Sequence, residues 1–137
     1  MVHVVICDEK YGTINKILNG KKTMIIRAAD GRKLPHSRVF FDDELYFFEK
    51  RVSKLTAKAK VTEVQNFTKL TQSEANVILE ENEYKLALDE SQKEKFKKKC
   101  MCLIEFDSLE KIEPIAFTPA RKTEDWLMAE ELSDLIK

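Results

Sequence analysis

Two cations five residues apart, Lys22 and Arg27, with the Thr23 hydroxyl beside the first, are the side chains of this sequence best suited to chemistry. They lie in the run Gly20-Lys21-Lys22-Thr23-Met24-Ile25-Ile26-Arg27, where a short helical pattern ends at Gly20 and a strand-like pattern begins. Successive side chains of a strand point to opposite faces. Lys22, Met24 and Ile26 therefore share one face and Thr23, Ile25 and Arg27 the other, with Lys22 at the rim where the chain enters the strand. An ammonium and a guanidinium placed in this way can hold an anion or the carbonyl edge of a base. The plainer reading is a solvated lysine and an arginine paired with a carboxylate such as Glu49 or Glu105.

Other basic residues extend the pattern. A loop over 29–37 carries Arg32, Lys33, His36 and Ser37, and Arg38 follows at its exit. Lys50 and Arg51, with Lys54, bracket a hairpin turn and can lengthen a basic rim beside Arg27. Aromatic residues alternate with these cations at Phe40, Phe41, Tyr46, Phe47 and Phe48, a combination that single-stranded nucleic acids use for stacking and backbone contact. Alternation assigns Phe47 and Phe48 to the core and leaves Phe40 and Phe41 near a loop. The run Lys93–Lys99 holds five lysines around Phe96 and reads as a solvated helix face. The formal net charge is zero, but residues 1–60 hold thirteen Lys or Arg against seven Asp or Glu, and residues 61–137 eleven against seventeen. A neutral total argues against strong non-specific attraction to duplex DNA and leaves room for one local basic cleft.

The elements that must position these residues follow from periodicity. His3–Cys7 is a short apolar strand. Thr13 opens a helix that runs to Leu18, and Gly20 suits the left-handed position that ends it. Strands are expected over 23–28, 45–50 and 55–64, the last alternating Ala57, Ala59 and Val61 against Lys58, Lys60 and Thr62. Thr71-Gln72-Ser73-Glu74 fits a capping box, so a helical region begins at 72. A second helix runs from Ser91 to Lys99, and Met101–Phe106 is a strongly apolar, central strand. Pro114 and Pro119 break the chain after it. A short strand over 126–128 and a terminal helix over 130–137 complete the pattern. Interleaved strands and short helices indicate an α+β fold around a curved, mostly antiparallel sheet, in a single domain over 1–137.

Several chemistries are excluded. Three glycines cannot supply a full dinucleotide fingerprint or phosphate loop. His3 and His36 are too few for a histidine-based metal site, and Asp42, Asp43 and Glu44 lack the ligand spacing of a calcium loop. No metal and no cofactor is expected. Cys7, Cys100 and Cys102 are expected as reduced, buried thiols, and Trp126 as an anchor for the C-terminal segment. The sequence has no apolar stretch of membrane-spanning length and no signal-peptide pattern, so no membrane association and a cytoplasmic location are expected.

The opening motif resembles the signature of the ASCH family, Gly-x-Lys-x-x-Glu-x-Arg, within the larger group of PUA-like domains. Gly20, Lys22 and Arg27 match it, and Ile25 stands where the family has its acid. The likeness extends along the chain, through His3-Val4-Val5-Ile6, Ile17-Leu18-Asn19-Gly20, Asp43-Glu44-Leu45-Tyr46-Phe47, Cys102–Phe106, Lys111-Ile112-Glu113-Pro114 and Asp125-Trp126-Leu127. The resemblance implies a PUA-like pseudo-barrel with peripheral helices and places Lys22 and Arg27 near the mouth of a cleft. It implies binding of RNA, another single-stranded nucleic acid or a nucleotide-like small molecule, with contacts from Lys22, Thr23, Arg27, Arg38, Lys50 and Arg51. Some ASCH domains act as amidohydrolases on acylated nucleosides, an alternative that needs a carboxylate within reach of Lys22. A protein-interaction domain, with an exposed apolar patch and no cations clustered around Arg27, is the third reading.

Overall fold

The structure, a computed structural model, describes residues 1–7, 9–121 and 125–136. Its strands are β1 (Val2–Ile6), β2 (Met24–Ala29), β3 (Glu44–Glu49), β4 (Lys54–Phe67), β5 (Cys100–Ala116) and β6 (Trp126–Ala129). Its helices are α1 (Thr13–Leu18), α2 (Gln72–Glu81), α3 (Glu83–Leu86) and α4 (Glu90–Lys95). The strands form one curled sheet in the order β2-β5-β4-β3-β1-β6. Every pairing is antiparallel except β1 with β3. The α+β class, the mostly antiparallel sheet and the inner position of the 103–106 strand follow the sequence reading.

Curvature has a local cause. The long β4–β5 ladder shifts register between Leu55 and Ala57, between Lys58 and Lys60, and between Val61 and Glu63. Each irregularity adds twist and bends the strand pair. One of them explains why Pro114 does not end β5. Lys111 pairs with Ala57 and Ile115 with Leu55, so Pro114 lies opposite a shift, where its missing N–H is not needed. The break expected at Pro114 is therefore absent and β5 runs on to Ala116, while Pro119 lies past its end.

Alternation along β2 buries both of its faces. Ile25 joins the interior cluster of Val5, Leu45, Phe47, Ile104 and Trp126. Met24 and Ile26 face the opposite way, into a second cluster with Leu103, Ala75, Leu79 and Leu86 under the helices. A third cluster packs Val4, Ile6, Phe48, Leu55 and Phe117. Phe47 and Phe48 are core residues, as alternation indicates, and Cys7, Cys100 and Cys102 are buried free thiols.

The helical region over 72–98 is three short helices. The Thr71–Glu74 capping box forms as expected. Asn82 then serves as C-cap of α2 and N-cap of α3, and Ala87 turns left-handed at φ 48°, ending α3 after one turn. Asp89 and Gln92 make a second capping box, so the last helix begins at Glu90, ends at Lys95 and stops short of Lys99. The expected terminal helix is reduced to one 3-10 turn at Leu132–Asp134, and its last position, Lys137, lies outside the described residues.

A buried relay fixes the C-terminal strand. Trp126 Nε1 donates to His3 Nδ1 at 3.0 Å, which leaves the neutral ring to donate from Nε2 to Asp43 Oδ2 at 2.9 Å. Asp43 also accepts from the Phe40 N–H and the Met1 ammonium. Burial holds the His3 pKa below its usual 6.5, against the pull of Asp43. Burial alone would raise Asp43, but the bonds from His3, Phe40 and the ammonium outweigh it and hold its carboxyl below the usual range. The folded state thus disfavours a proton on His3, and the unfolded chain binds more protons below pH 6.5. Stability is expected to fall as pH drops through that value. His3→Ala strands two buried partners and is expected to cost at least about 2 kcal/mol at pH 7.5. It should also remove that limb of the pH dependence; urea titrations of both proteins between pH 5 and 8 measure both effects.

Candidate functional site

Lys22 enters the fold through backbone bonds. Its N–H donates to Lys16 O at the end of α1, and the next N–H, that of Thr23, donates to Lys85 O in α3. Because Lys22 shares the helix-covered face of β2, its side chain runs inward and is only 5% exposed. Nζ donates to Leu86 O at 2.5 Å, one of the carbonyls left over where α3 ends. Lys16 Nζ takes the neighbouring Ala87 O at 2.9 Å. Two cations therefore cap the C-terminus of one short helix, the end that favours positive charge.

Burial pulls the Lys22 amine down, the adjacent Cys7 opposes this, and Arg27 and Lys16 add to it, leaving its pKa at about 8. Burial raises the Cys7 thiol, with Arg27 and Lys22 opposing. Cys7 is thus a neutral group on the cavity wall near neutral pH.

Arg27 spans the open side of the curled sheet. Its Nη2 donates to Ile6 O of β1 at 2.9 Å and to Asp125 O at 3.3 Å, and Nη1 donates to its own neighbour, Ile26 O, at 3.0 Å. Nε faces Asp125 Oδ2 at 3.5 Å, and the guanidinium lies 5.6 Å from the centre of the Trp126 ring. The acid paired with Arg27 is Asp125, where the plain sequence reading offered Glu49 or Glu105. Glu105 is bound to Lys85 at 2.9 Å.

These groups surround a cavity of about 280 Å³ on the seam between β1 and β2. Lys22, Arg27 and Lys50 line it, with Lys95 at the end of α4 and its C-cap Phe96 closing one side and Asp125 next to Arg27. Arg51 lines an adjoining hollow of about 220 Å³ that shares Cys7, Thr13 and Lys50 with the first. Thr23 and Arg38 line neither. Arg38 is exposed on the far loop, which is pinned to the end of β4 by His36 Nε2 on Phe67 O and by Ser37 N–H on Asn66 Oδ1.

Lining residues not singled out from the sequence as contacts include Cys7, Gln92, Lys95, Phe96 and Asp125. The signal for Lys95 was in the lysine run. Helical spacing sets Lys93 and Lys97 on one face, and both pair with glutamates: Lys93 with Glu83 and Glu90, Lys97 with Glu94. Lys95 falls on the other face, over the Phe96 ring, toward the cavity. Ile25 is 1% exposed and part of the interior core. Among the described residues no cluster of His, Cys, Asp or Glu could hold a metal ion.

A curled six-stranded half-barrel with helices on its flank is an ASCH-like fold. Solved structures agree. The crystal structure of an ASCH protein from Zymomonas mobilis superposes with a TM-score of 0.64 at 15% identity, covering 84% of this chain and 73% of that one. A tyrosine-to-phenylalanine mutant of that protein gives 0.64 at 16% identity, over 84% and 75%. A serine-to-alanine mutant gives 0.63 at 15% identity, over 84% and 73%. At this identity the likeness is one of fold. No protein-family model and no curated protein sequence matches the chain.

The depressed amine has a direct readout. Reductive methylation of Lys22, followed by peptide mass spectrometry across pH 6–11, is expected to give a midpoint near 8. Exposed lysines should titrate near their ordinary value of about 10.4. A Lys22 midpoint above 10 would mean that the amine is solvated.

Proposed function

We propose that this protein binds nucleic acid, RNA foremost, or a nucleotide-like ligand in the basic cavity on the β1–β2 seam. The observation that carries this reading is the convergence of Lys22, Arg27, Lys50 and Lys95 on one cavity, against Asp125 as the acid among its described lining residues. Its volume of about 280 Å³ is close to the lower end of ligand-binding clefts. Phosphate oxygens suit the two outer ammonium groups, Lys50 and Lys95. The inner pair suits a base edge or a sugar, because Lys22 is half titrated near its pKa of about 8 and Arg27 already spends donors on Ile6 and Asp125. Phe96 offers a half-buried ring at the rim on which a base can stack. The basic excess of residues 1–60 and the ASCH-like fold point the same way.

Lys22 with a pKa of about 8 also favours a second reading, amine-assisted deacylation of a modified nucleoside. The acidic partner that reading needs is not provided by Glu105, which Lys85 holds, and Ile25 cannot supply it. Turnover of an acylated cytidine, followed by chromatography, is expected to be negligible; turnover abolished by Lys22→Ala would establish the enzyme reading. The interaction-domain reading has exposed Leu34, Phe40 and Phe41 in its favour and the cations around Arg27 against it.

Titration with short RNA and DNA oligomers at two salt concentrations tests the proposal. Affinity should fall as salt rises. Lys22→Met removes a buried charged contact, expected to be worth roughly 1.5–3 kcal/mol, so binding should weaken about tenfold or more. Lys50→Ala and Lys95→Ala, both at exposed side chains, should each weaken it a few-fold, roughly the effect of one solvent-screened charge. Lys58→Ala, where the lysine is paired with Glu110 on the β4–β5 ladder, should leave binding unchanged. Absence of binding to any oligomer or nucleotide would remove this reading and advance the interaction-domain one.

A further inference from the structure

The seam holds more than one hollow. On one side, the main cavity opens through Cys7, Thr13 and Lys50 into the hollow of about 220 Å³ beside Glu49 and Arg51. On the other side it meets the Arg27–Asp125 pair. Beyond that pair, a shallow step of about 20 Å³ shares Arg27, Ala28 and Asp125 with it and leads to Lys33 and Leu34. Cations recur along the whole run, from Lys33 over Arg27 and Lys22 to Lys50 and Arg51.

We propose that these hollows form one trough, which takes a single strand of several nucleotides lying from Lys33, across Arg27 and past Lys22, to Arg51. This rests on the nucleic-acid reading above and deepens it: the ligand is a polymer, and neither a mononucleotide nor a duplex fills the site.

Length supports this. The six residues of β2 alone span about 20 Å at roughly 3.3 Å each. At about 3.4 Å per nucleotide the span of β2 matches about six stacked nucleotides and fewer extended ones, with roughly four between these limits. The chemistry of the hollows differs in the way a strand requires. The central cavity has the outer ammonium groups of Lys50 and Lys95, which suit phosphates, above the inner pair Lys22 and Arg27. The hollow beside it sets the Glu9 and Glu49 carboxylates and the Asn15 amide next to Lys50 and Arg51. Paired acceptors and donors suit a base edge: a carboxylate accepts from an exocyclic amino group, and a guanidinium donates to ring nitrogen or carbonyl oxygen. Base edges are free for such contact in a single strand and held in grooves in a duplex. A roomier hollow of about 450 Å³ lies between α2 and α4, but Glu80, Glu83, Glu90 and Glu94 outnumber Lys93 and Lys97 along it, and the net negative lining disfavours a polyanion. That hollow is therefore a poorer place for the strand than the seam.

The test is a length series, from a 5′-mononucleotide through di-, tetra- and hexanucleotides of RNA, by competition anisotropy at several salt concentrations. Affinity is expected to climb to roughly four nucleotides and then level. Each phosphate contact in a single strand contributes about 0.7 to the slope of log K against log salt. Lys33→Ala and Arg51→Ala should each lower the tetranucleotide slope by about that amount and leave the mononucleotide unaffected. Lys50→Ala should weaken both. All three side chains are exposed, so the variants should fold. A mononucleotide that binds as tightly as the tetramer would overturn the trough while leaving the cavity reading intact. A duplex that competes equally would overturn the single-strand assignment. Failure of every nucleotide to bind would overturn both readings together.

Discussion

The fold depends on how the two margins of one curled sheet are held together without a ladder between them. β2 ends the sheet on one side, and β1 with β6 ends it on the other. Arg27 crosses that gap from β2, with its Nη2 on a β1 carbonyl and on the carbonyl just before β6, its Nε facing the Asp125 carboxylate, and its plane near the Trp126 ring. A guanidinium suits the place. It carries five donors in a fixed plane, keeps its charge in a partly buried setting and packs against an aromatic face. Lysine could satisfy one carbonyl and the charge, but not two carbonyls, a carboxylate and a ring. Because a side chain closes the seam, space remains beside it, and the cavity occupies that space.

The same constraint explains why Lys22 is buried. β2 must cover the interior with Ile25 and meet the helices with Met24 and Ile26, so neither of its faces is free. A lysine in register with Met24 and Ile26 has only the end of α3 to bond, and Leu86 O is the acceptor there. The helix turns left-handed at Ala87 next to that carbonyl, so the break in the helical region supplies the acceptor that makes a buried amine tolerable. An aliphatic Ile25 fits this arrangement: it fills the interior while the polar work falls to its neighbours in sequence. The depressed amine, the neutral thiol of Cys7 and the Arg27 clasp thus follow from one strand buried on both faces.

Much of this was legible in the sequence. Alternation gave the strands and the core assignment of Phe47 and Phe48. The hydroxyl and glutamate at Thr71 and Glu74 gave the start of α2, and the Gly20-to-Arg27 motif gave both inner cations. Less visible was what depends on long-range register. Pro114 reads as a breaker unless one knows that it faces a shift in the β4–β5 ladder. Asp125 reads as one acid among many until the sheet curls and brings it to Arg27, ninety-eight residues away in sequence. The role of His3 had no local signal, because its partners are Asp43 and Trp126, forty and 123 residues distant. Lys95 was hidden within a lysine run whose two other members on the opposite face spend their charge on glutamates.

Charge arrangement joins these local facts into a functional geometry. A chain with no net charge gains nothing from its overall field when it meets a polyanion. Attraction must come from where the charges are left unpaired. Lys58, Lys60, Lys85, Lys93 and Lys97 are neutralised in exposed ion pairs, each worth little to stability. Their effect is to remove competing positive surface. Between α2 and α4 four glutamates face Lys93 and Lys97, which leaves that side net negative. Of the cations left outside such pairs, Lys50 and Lys95 face the seam and make no ion pair with the described residues, and Lys22 there bonds only a carbonyl. If the seam takes an anionic strand as proposed, surface pairs that hardly stabilise the fold still matter to its selectivity, because they reduce the positive surface that competes with the seam.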